Sequence, residues 1–530
     1  MPAASIADAA TAQGASPAYR ELKELLREIA HMRSTLGLLQ WDQETYMPAA
    51  GSAARAGQKS LLAGLAHERA TSPRLGELIA ACEGDAALRS DEATAANLRE
   101  MRRDYDLATK LPGDLVRALA ETTSRAQDAW KHAREKNDFA SFAPWLDKVL
   151  TLTRRKAECY GVPAATGGVP SELYDALLDE YEPSARAAEI ETLFRPLEAR
   201  LSAFVKDLRT RGTRPDDACV KLNIAREKQH AFGQFVIEKC GFRMNAGRLD
   251  EVTHPFCEGL APGDTRLTTR YRESRWTDAF FGTLHEYGHG SYEQGLPIHM
   301  ELDDPRNRFG EPLGHAVSLG IHESQSRMWE NIVGRSRAFW QWAKPHADRM
   351  LGSGIERFSA EDVFRAVNVI EPGFIRVEAD EGYYNLHIML RFALERAMIR
   401  GDLAVRDLPG AWNERFKALF GVDVPDDTRG CLQDVHWSFG LIGYFPTYTL
   451  GNLYAASFWN ALKRDLPDVD AKMERGEFAP VLSWFNDKIH RHGRMYPPRE
   501  LCRRITGADL STEPLMAYLG AKLGGVYGVS

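Results

Sequence analysis

His285-Glu286-Tyr287-Gly288-His289 is the stretch of this 530-residue chain whose residue types and spacing suit chemistry most directly. Histidines four apart fall on one face of a helix, about one turn from each other, so both imidazoles can reach a single metal ion. Glu286 lies roughly 100° further round, beside such an ion rather than on it. A carboxylate there can take a proton from a metal-bound water as that water attacks a peptide carbonyl. Two ligands, one base and an open coordination position make a zinc peptidase the leading reading. The alternatives are a chance pentad and a structural zinc site. Structural sites usually close with four ligands and favour cysteine, and no cysteine stands nearer than Cys257.

The pattern H-E-x-x-H-x-x-G-x-x-H fails, because Gly290-Ser291-Tyr292-Glu293-Gln294-Gly295-Leu296 offers no histidine at the right spacing. A carboxylate from a later helix is the other common third ligand, and Glu301, Glu311, Glu323 and Glu330 are the candidates. Glu301 stands in an acidic run ending at Pro305 and reads as a solvated loop. Glu323 begins a helix-like segment, 321–330, where its bland role is a surface carboxylate. Spacing favours Glu323 without deciding.

A series of short motifs accompanies the pentad: His254-Pro255-Phe256, Asp264-Thr265-Arg266-Leu267-Thr268, His322-Glu323-Ser324-Gln325, Ile375-Arg376-Val377-Glu378-Ala379-Asp380 and Gly430-Cys431-Leu432-Gln433-Asp434-Val435-His436-Trp437. Gly443-Tyr444-Phe445-Pro446-Thr447-Tyr448 and His492-Gly493-Arg494 follow, and Trp41-Asp42-Gln43-Glu44-Thr45-Tyr46-Met47-Pro48 precedes them all. In this order they resemble the carboxypeptidase Taq family, the thermostable metallocarboxypeptidases with an H-E-x-x-H site, over nearly the whole chain. The resemblance implies Glu323 as third ligand, zinc (or cobalt on the same ligands) as cofactor, release of C-terminal residues from peptides, two helical lobes flanking a deep cleft, and a homodimer. Two departures stand out. The segment around Met300 to Glu311 is longer than in the family and reads as an exposed acidic loop near the cleft mouth. Some related enzymes carry an acid four residues after the ligand glutamate, where this chain has Arg327. The carboxylate that orients a zinc histidine is therefore open, with Asp380 and Asp434 as candidates.

A free C-terminal carboxylate calls for a cation, and the planar fork of arginine holds it best. Arg376, in the I-R-x-x-A-D motif, is the preferred anchor, with a structural ion pair as its bland alternative. Arg266 is the runner-up, unless it pairs with Asp264 to brace a strand, and Arg494 is third. Tyr444 or Tyr448 can donate to the developing oxyanion, although aromatics at this density are more often core. His436, with Asp434 in the same motif, can contact the substrate backbone or be a satisfied core histidine. His254 and His322 read as supports for loops and the zinc shell. An oligopeptide endopeptidase with the same pentad is the nearer alternative function; a non-catalytic zinc-stabilised peptide-binding protein is the distant one.

These side chains need a scaffold, and the patterning is overwhelmingly helical. Leu22, Leu25, Leu26, Ile29, Met32 and Leu36 recur at helical spacing, and Asp91 to Lys110, Leu115 to Glu135, Ala143 to Tyr160 and Ala187 to Arg209 repeat the pattern. The zinc helix begins near Trp276. Thr265 to Tyr271 is the one persuasive strand, expected at the cleft wall with backbone groups open to a peptide. The expected class is all-α, or mainly α, with a small sheet: a flexible tail over residues 1–17 and a single domain over 18–530. A net charge of −7 argues against a nucleic-acid partner, and no apolar run is long enough to span a membrane. Seven scattered cysteines read as reduced thiols of a cytoplasmic enzyme.

Overall fold

The structure is a computed structural model that describes residues 16–163, 171–302, 304 and 306–529, so nearly all of the expected tail lies outside the described residues. Helix α1 (Pro17–Thr45) starts where Ser16 accepts from the Tyr19 N–H, and it buries Tyr19, Leu22, Ile29 and Trp41 along one stripe. Helix α2 (Glu92–Lys110) is capped in the same way by Asp91. Gly113–Lys136, Phe139–Tyr160 and Ala187–Arg211 form the next long helices. The structure is 70% helical, with one three-stranded sheet among the described residues, which places it in the mainly α class.

That sheet holds β1 (Gly247–Glu251), β2 (Cys257–Ala261) and β3 (Asp264–Thr269) in the order β1-β3-β2. β3 is the strand read from the sequence. It is central, parallel to β1 and antiparallel to β2, so both of its edges are paired and it cannot offer backbone groups to a peptide. The unpaired edges of the sheet are the outer ones of β1 and β2. β1 and β2 escaped the sequence reading because they are five-residue strands carrying glycine and charge, residues depleted in strands.

Four further helices carry the site: α3 (Trp276–Gly295), α4 (Leu319–Arg327), α5 (Pro446–Asp465) and α6 (Glu513–Tyr527). α4 continues directly into a π-helical turn, Met328–Val333. The main core runs from the helices after residue 113 to the C-terminal helix and takes in Leu267, Phe280, Leu284, Tyr287 and Ile321. The first helices have their own smaller core, in which Leu22 and Ile29 meet Leu75, Leu78, Leu98 and Met101. The lobes meet through ion pairs, among them Lys23–Glu311 (2.9 Å), Arg494–Glu100 (2.7 Å) and Arg103–Asp179 (2.7 Å). A cavity of about 520 Å³ opens there, lined by Arg103, Asp104, Tyr181, His315, His322 and Arg494.

The 300–311 segment is only partly the exposed loop expected. Met300, Glu301 and Arg306 face solvent, but Asn307, Arg308, Phe309 and Glu311 are buried. Glu311 takes hydrogen bonds from Asn97 and Arg308, and Phe309 packs on His31 with ring centroids 5.2 Å apart. The segment is a tie between lobes, because Glu311 and Phe309 in its second half are met by Asn97, Lys23 and His31 of the N-terminal helices. All seven cysteines are unpaired, and no described helix is long and apolar enough to cross a membrane.

Candidate metal centre

Two glycines let three helices converge. A Cβ at Gly288 on α3 would stand 2.4 Å from Ser326 Cα and 2.5 Å from the Gln325 carbonyl, so α3 and α4 can cross only with glycine there. A Cβ at Gly451 on α5 would lie 2.6 Å from Glu323 Cγ, which presses α4 from its other side. The close crossing brings Glu323 Oε2 to 3.4 Å from His289 Nε2 and 3.7 Å from His285 Nε2. Donor atoms of the three residues all lie within 4.8 Å of one another. Tetrahedral zinc with ligands at about 2.0–2.2 Å spaces neighbouring donors about 3.3–3.6 Å apart, so this set fits such an ion. Gly451→Ala is expected to push the Glu323 side chain off this point and lower zinc affinity at least tenfold in chelator competition; unchanged affinity would mean that α5 yields instead.

The outer hydrogen bonds determine which imidazole nitrogens are free. His285 Nδ1 lies 2.9 Å from Glu330 Oε2, and His289 Nδ1 lies 2.5 Å from His322 Nδ1, whose Nε2 is 2.8 Å from Glu293 Oε1. With Nδ1–H donated outward, both Nε2 lone pairs face the shared gap, and His322 must accept at Nδ1 and donate from Nε2. The orienting carboxylates are thus Glu330 and, through His322, Glu293. Asp380 and Asp434, the expected candidates, sit elsewhere: Asp380 accepts from the backbone N–H groups of Glu371 and Tyr383, and Asp434 lies between two arginines. Helical phase held the signal, since Glu293 follows His289 by four residues and Glu330 follows Glu323 by seven. The π-turn that carries Glu330 leaves no such trace in the sequence.

Arg327 bridges the two acids, donating to Glu323 Oε1 (2.6 Å) and Glu330 Oε2 (3.1 Å), while Ser326 Oγ donates to Glu323 Oε2 (2.9 Å). Burial raises the Glu323 carboxyl, but Arg327 and the imidazoles outweigh it and hold it well below the usual range. Burial pushes His289 down to about 4, which keeps it neutral and able to ligate near pH 7. Glu286 is 6% exposed, and burial raises its carboxyl to about 7, where a base can both take and return a proton.

Beyond Arg327 lies an aromatic wall. Its guanidinium stacks 4.0 Å over the ring of Tyr384, whose hydroxyl accepts from Arg376 Nη1 at 3.3 Å. Tyr384 is the functional candidate that sequence reasoning passed over, because nothing in its spacing separates it from the other buried tyrosines. Arg376 is only 5% exposed, and its Nε and Nη2 both donate to Asp434 Oδ1 (3.0 and 2.8 Å). The edge that would grip a substrate carboxylate is therefore occupied. Asp434 Oδ2 accepts from the buried Arg391 (2.7 Å), so Asp434 is committed to two guanidiniums and is not presented to a substrate. The rings of Tyr444 and Tyr448 lie 5.5 Å apart in the same wall, both half-buried. His436 Nε2 stands 3.5 Å from the Tyr448 hydroxyl and its buried Nδ1 has no partner.

The remaining candidates are braced. Arg266 pairs with Asp264 through two 2.9 Å bonds and stacks 4.1 Å over Trp41. Arg494 pairs with Glu100 and Asp104 in the cavity wall. His254 is exposed.

Two imidazoles and a carboxylate converging beside a buried glutamate, in a two-lobed helical body, define a helical metallopeptidase. Residues 21–523 match the family model described as Carboxypeptidase Taq (M32) metallopeptidase, and the chain belongs to that family. It is 45% identical to Thermostable carboxypeptidase 1 of Thermus thermophilus over 514 residues, covering 96% of this chain and 99% of that protein. It is 35% identical to Carboxypeptidase 1 of Bacillus subtilis over 512 residues, covering 96% and 98%. The crystal structure of an M32 carboxypeptidase from Deinococcus radiodurans R1 matches with a TM-score of 0.91 at 38% identity, covering 97% of this chain and 100% of that one. The enzyme is a metallocarboxypeptidase.

Proposed function

We propose that this enzyme is a zinc carboxypeptidase of broad specificity, with Glu286 as its proton carrier and residues 18–530 acting as one catalytic unit. The observation that carries the reading is the convergence of His285, His289 and Glu323, with both outward Nδ1 atoms engaged and the buried Glu286 on the same helix. The chemistry that zinc, or cobalt on the same donors, supplies when bound is polarisation of a carbonyl and a lowered pKa for water. Glu286 takes the proton of the attacking water and returns it to the leaving amine. The hydroxyls of Tyr448 and Tyr444 donate to the oxyanion from the adjoining wall, and His436 holds Tyr448 in place through Nε2. The outer edge of β2 pairs with the extended peptide.

Selection of the terminal residue rests on charge. Arg376, Arg391 and Asp434 together carry one net positive charge behind Tyr448, and this charge attracts the terminal carboxylate. Arg376 thus contributes through its field and its Nη1 edge, rather than as a free bidentate clamp. Arg266 and Arg494 act by bracing the sheet and the cavity wall. Cytoplasmic residence is supported by seven unpaired thiols, and homodimerisation by the family resemblance.

One peptide in free-acid and C-terminally amidated forms, incubated with and without chelator, tests the reading by mass spectrometry. A ladder of C-terminal losses from the free acid alone, abolished by chelation, is expected. Internal cuts in both forms would instead establish an endopeptidase.

A further inference from the structure

Helix α6 lies far along the chain from the metal centre, yet two of its side chains reach the π-turn beside it. Leu515, Leu519 and Leu523 recur every fourth residue and are buried, which anchors the helix to the core. Tyr518 and Lys522, also four apart, share a neighbouring face. The Lys522 ammonium is buried; it donates to Glu381, to the Tyr518 hydroxyl (2.5 Å) and to the Asn331 carbonyl (3.3 Å). The Tyr518 hydroxyl donates to that same carbonyl at 3.1 Å.

Asn331 belongs to the π-turn and directly follows Glu330. The turn's five-residue winding closes with the Gly334 N–H on the Trp329 carbonyl at 2.9 Å. Ser336, five residues after Asn331, donates to Val333 instead, so the Asn331 carbonyl depends on donors from outside the helix, as terminal carbonyls do. α6 supplies both. On the other side Arg335 donates to Asn331 Oδ1 (3.0 Å) and approaches Glu330 Oε1 (3.6 Å). A π-turn holds one residue more than α-helical winding, and relaxing it rotates the chain by about 100°. Glu330 sits inside the turn, so its place on His285 Nδ1 depends on the turn being held.

We infer that Tyr518 and Lys522 are positioning residues for the metal centre: their donors on the Asn331 carbonyl hold the π-turn that aims Glu330 at His285. The inference rests on the metal reading above and not on the choice of peptide bond. Partners that orient a ligand histidine are worth about 10–100-fold in metal affinity. A residue acting through such a partner should reach the lower part of that range.

The test is zinc titration of the purified apo-protein against a chromophoric chelator of known affinity. Tyr518→Phe removes one of the two donors and should weaken zinc about 3–10-fold, and Lys522→Met about 10–30-fold. In a Glu330→Gln background, Tyr518→Phe should cause no further loss, because its effect passes through Glu330. A purely structural role predicts a lower melting temperature with zinc affinity within twofold of the parent, or an equal loss in both backgrounds, and either result overturns the inference. Should Lys522→Met fail to fold, the Tyr518 and Glu330 cycle decides alone. A parent that binds no zinc overturns this inference together with the metal reading. A parent that binds zinc but trims no C-termini, with the cycle as expected, overturns the carboxypeptidase reading and upholds this one.

Discussion

Glu286→Gln should lower kcat/KM by about a thousandfold or more while leaving zinc affinity within a few-fold of the parent. General acid–base groups contribute about 10²–10⁴ in rate, and in the proposed mechanism one group both accepts the water proton and protonates the leaving amine. Glutamine matches the size of glutamate, so the packing of α3 is kept, and the donors at His285, His289 and Glu323 are untouched. Glu286 is buried with a carboxyl raised to about 7, and no other acid on α3 occupies that place. Glu293, the next acid along the helix, is already engaged by His322. Steady-state kinetics on a free-acid peptide, alongside metal analysis of the same preparation, separates the two effects. Normal turnover with zinc bound would remove Glu286 from the mechanism.

The second large effect concerns stability. Asp434→Ala should cost about 3–5 kcal/mol in urea denaturation, because it leaves the buried guanidiniums of Arg376 and Arg391 facing one another without the carboxylate between them. Burial raises the Asp434 carboxyl, but the two arginines outweigh it and depress it far below the ordinary carboxylate range. A depressed carboxylate contributes stability that is present above its unfolded pKa of about 4 and is lost as pH falls through its folded value. Parent and variant should therefore differ by the same amount from pH 5 to pH 8, and converge only in strong acid. An Asp434→Ala protein as stable as the parent, but with a raised KM for free-acid peptides, would return Asp434 to the substrate site.

The chain's local chemistry spoke clearly where one helix carries the whole message. His285, Glu286 and His289 were legible because α-helical phase alone puts two imidazoles on one face with a carboxylate beside them. The long amphipathic helices were legible for the same reason: apolar spacing near 3.6 residues leaves one way to bury them. The mainly α class and the family followed from these segments and from the order of the motifs.

What depends on contacts between distant segments was out of reach. Spacing favoured Glu323 among four glutamates without deciding and the family resemblance named it, but only the crossing of α3 and α4 at Gly288 shows how it points at the histidines. Glu330 was missed as an orienting acid because a carboxylate's partner is set by the path of the backbone, here a π-turn that no pattern of hydrophobicity encodes; Glu293 was missed because it acts through His322, on a different helix. Arg376 read as an available fork, since a sequence cannot say that Asp434, 58 residues later, fills it. β1 and β2 went unseen because a short strand is stabilised by its neighbours in the sheet more than by its own residues. Local periodicity determined the long helices and which side chains could do chemistry. Long-range packing decided which of those side chains meet, because burial and hydrogen-bond partners belong to pairs of segments rather than to either one.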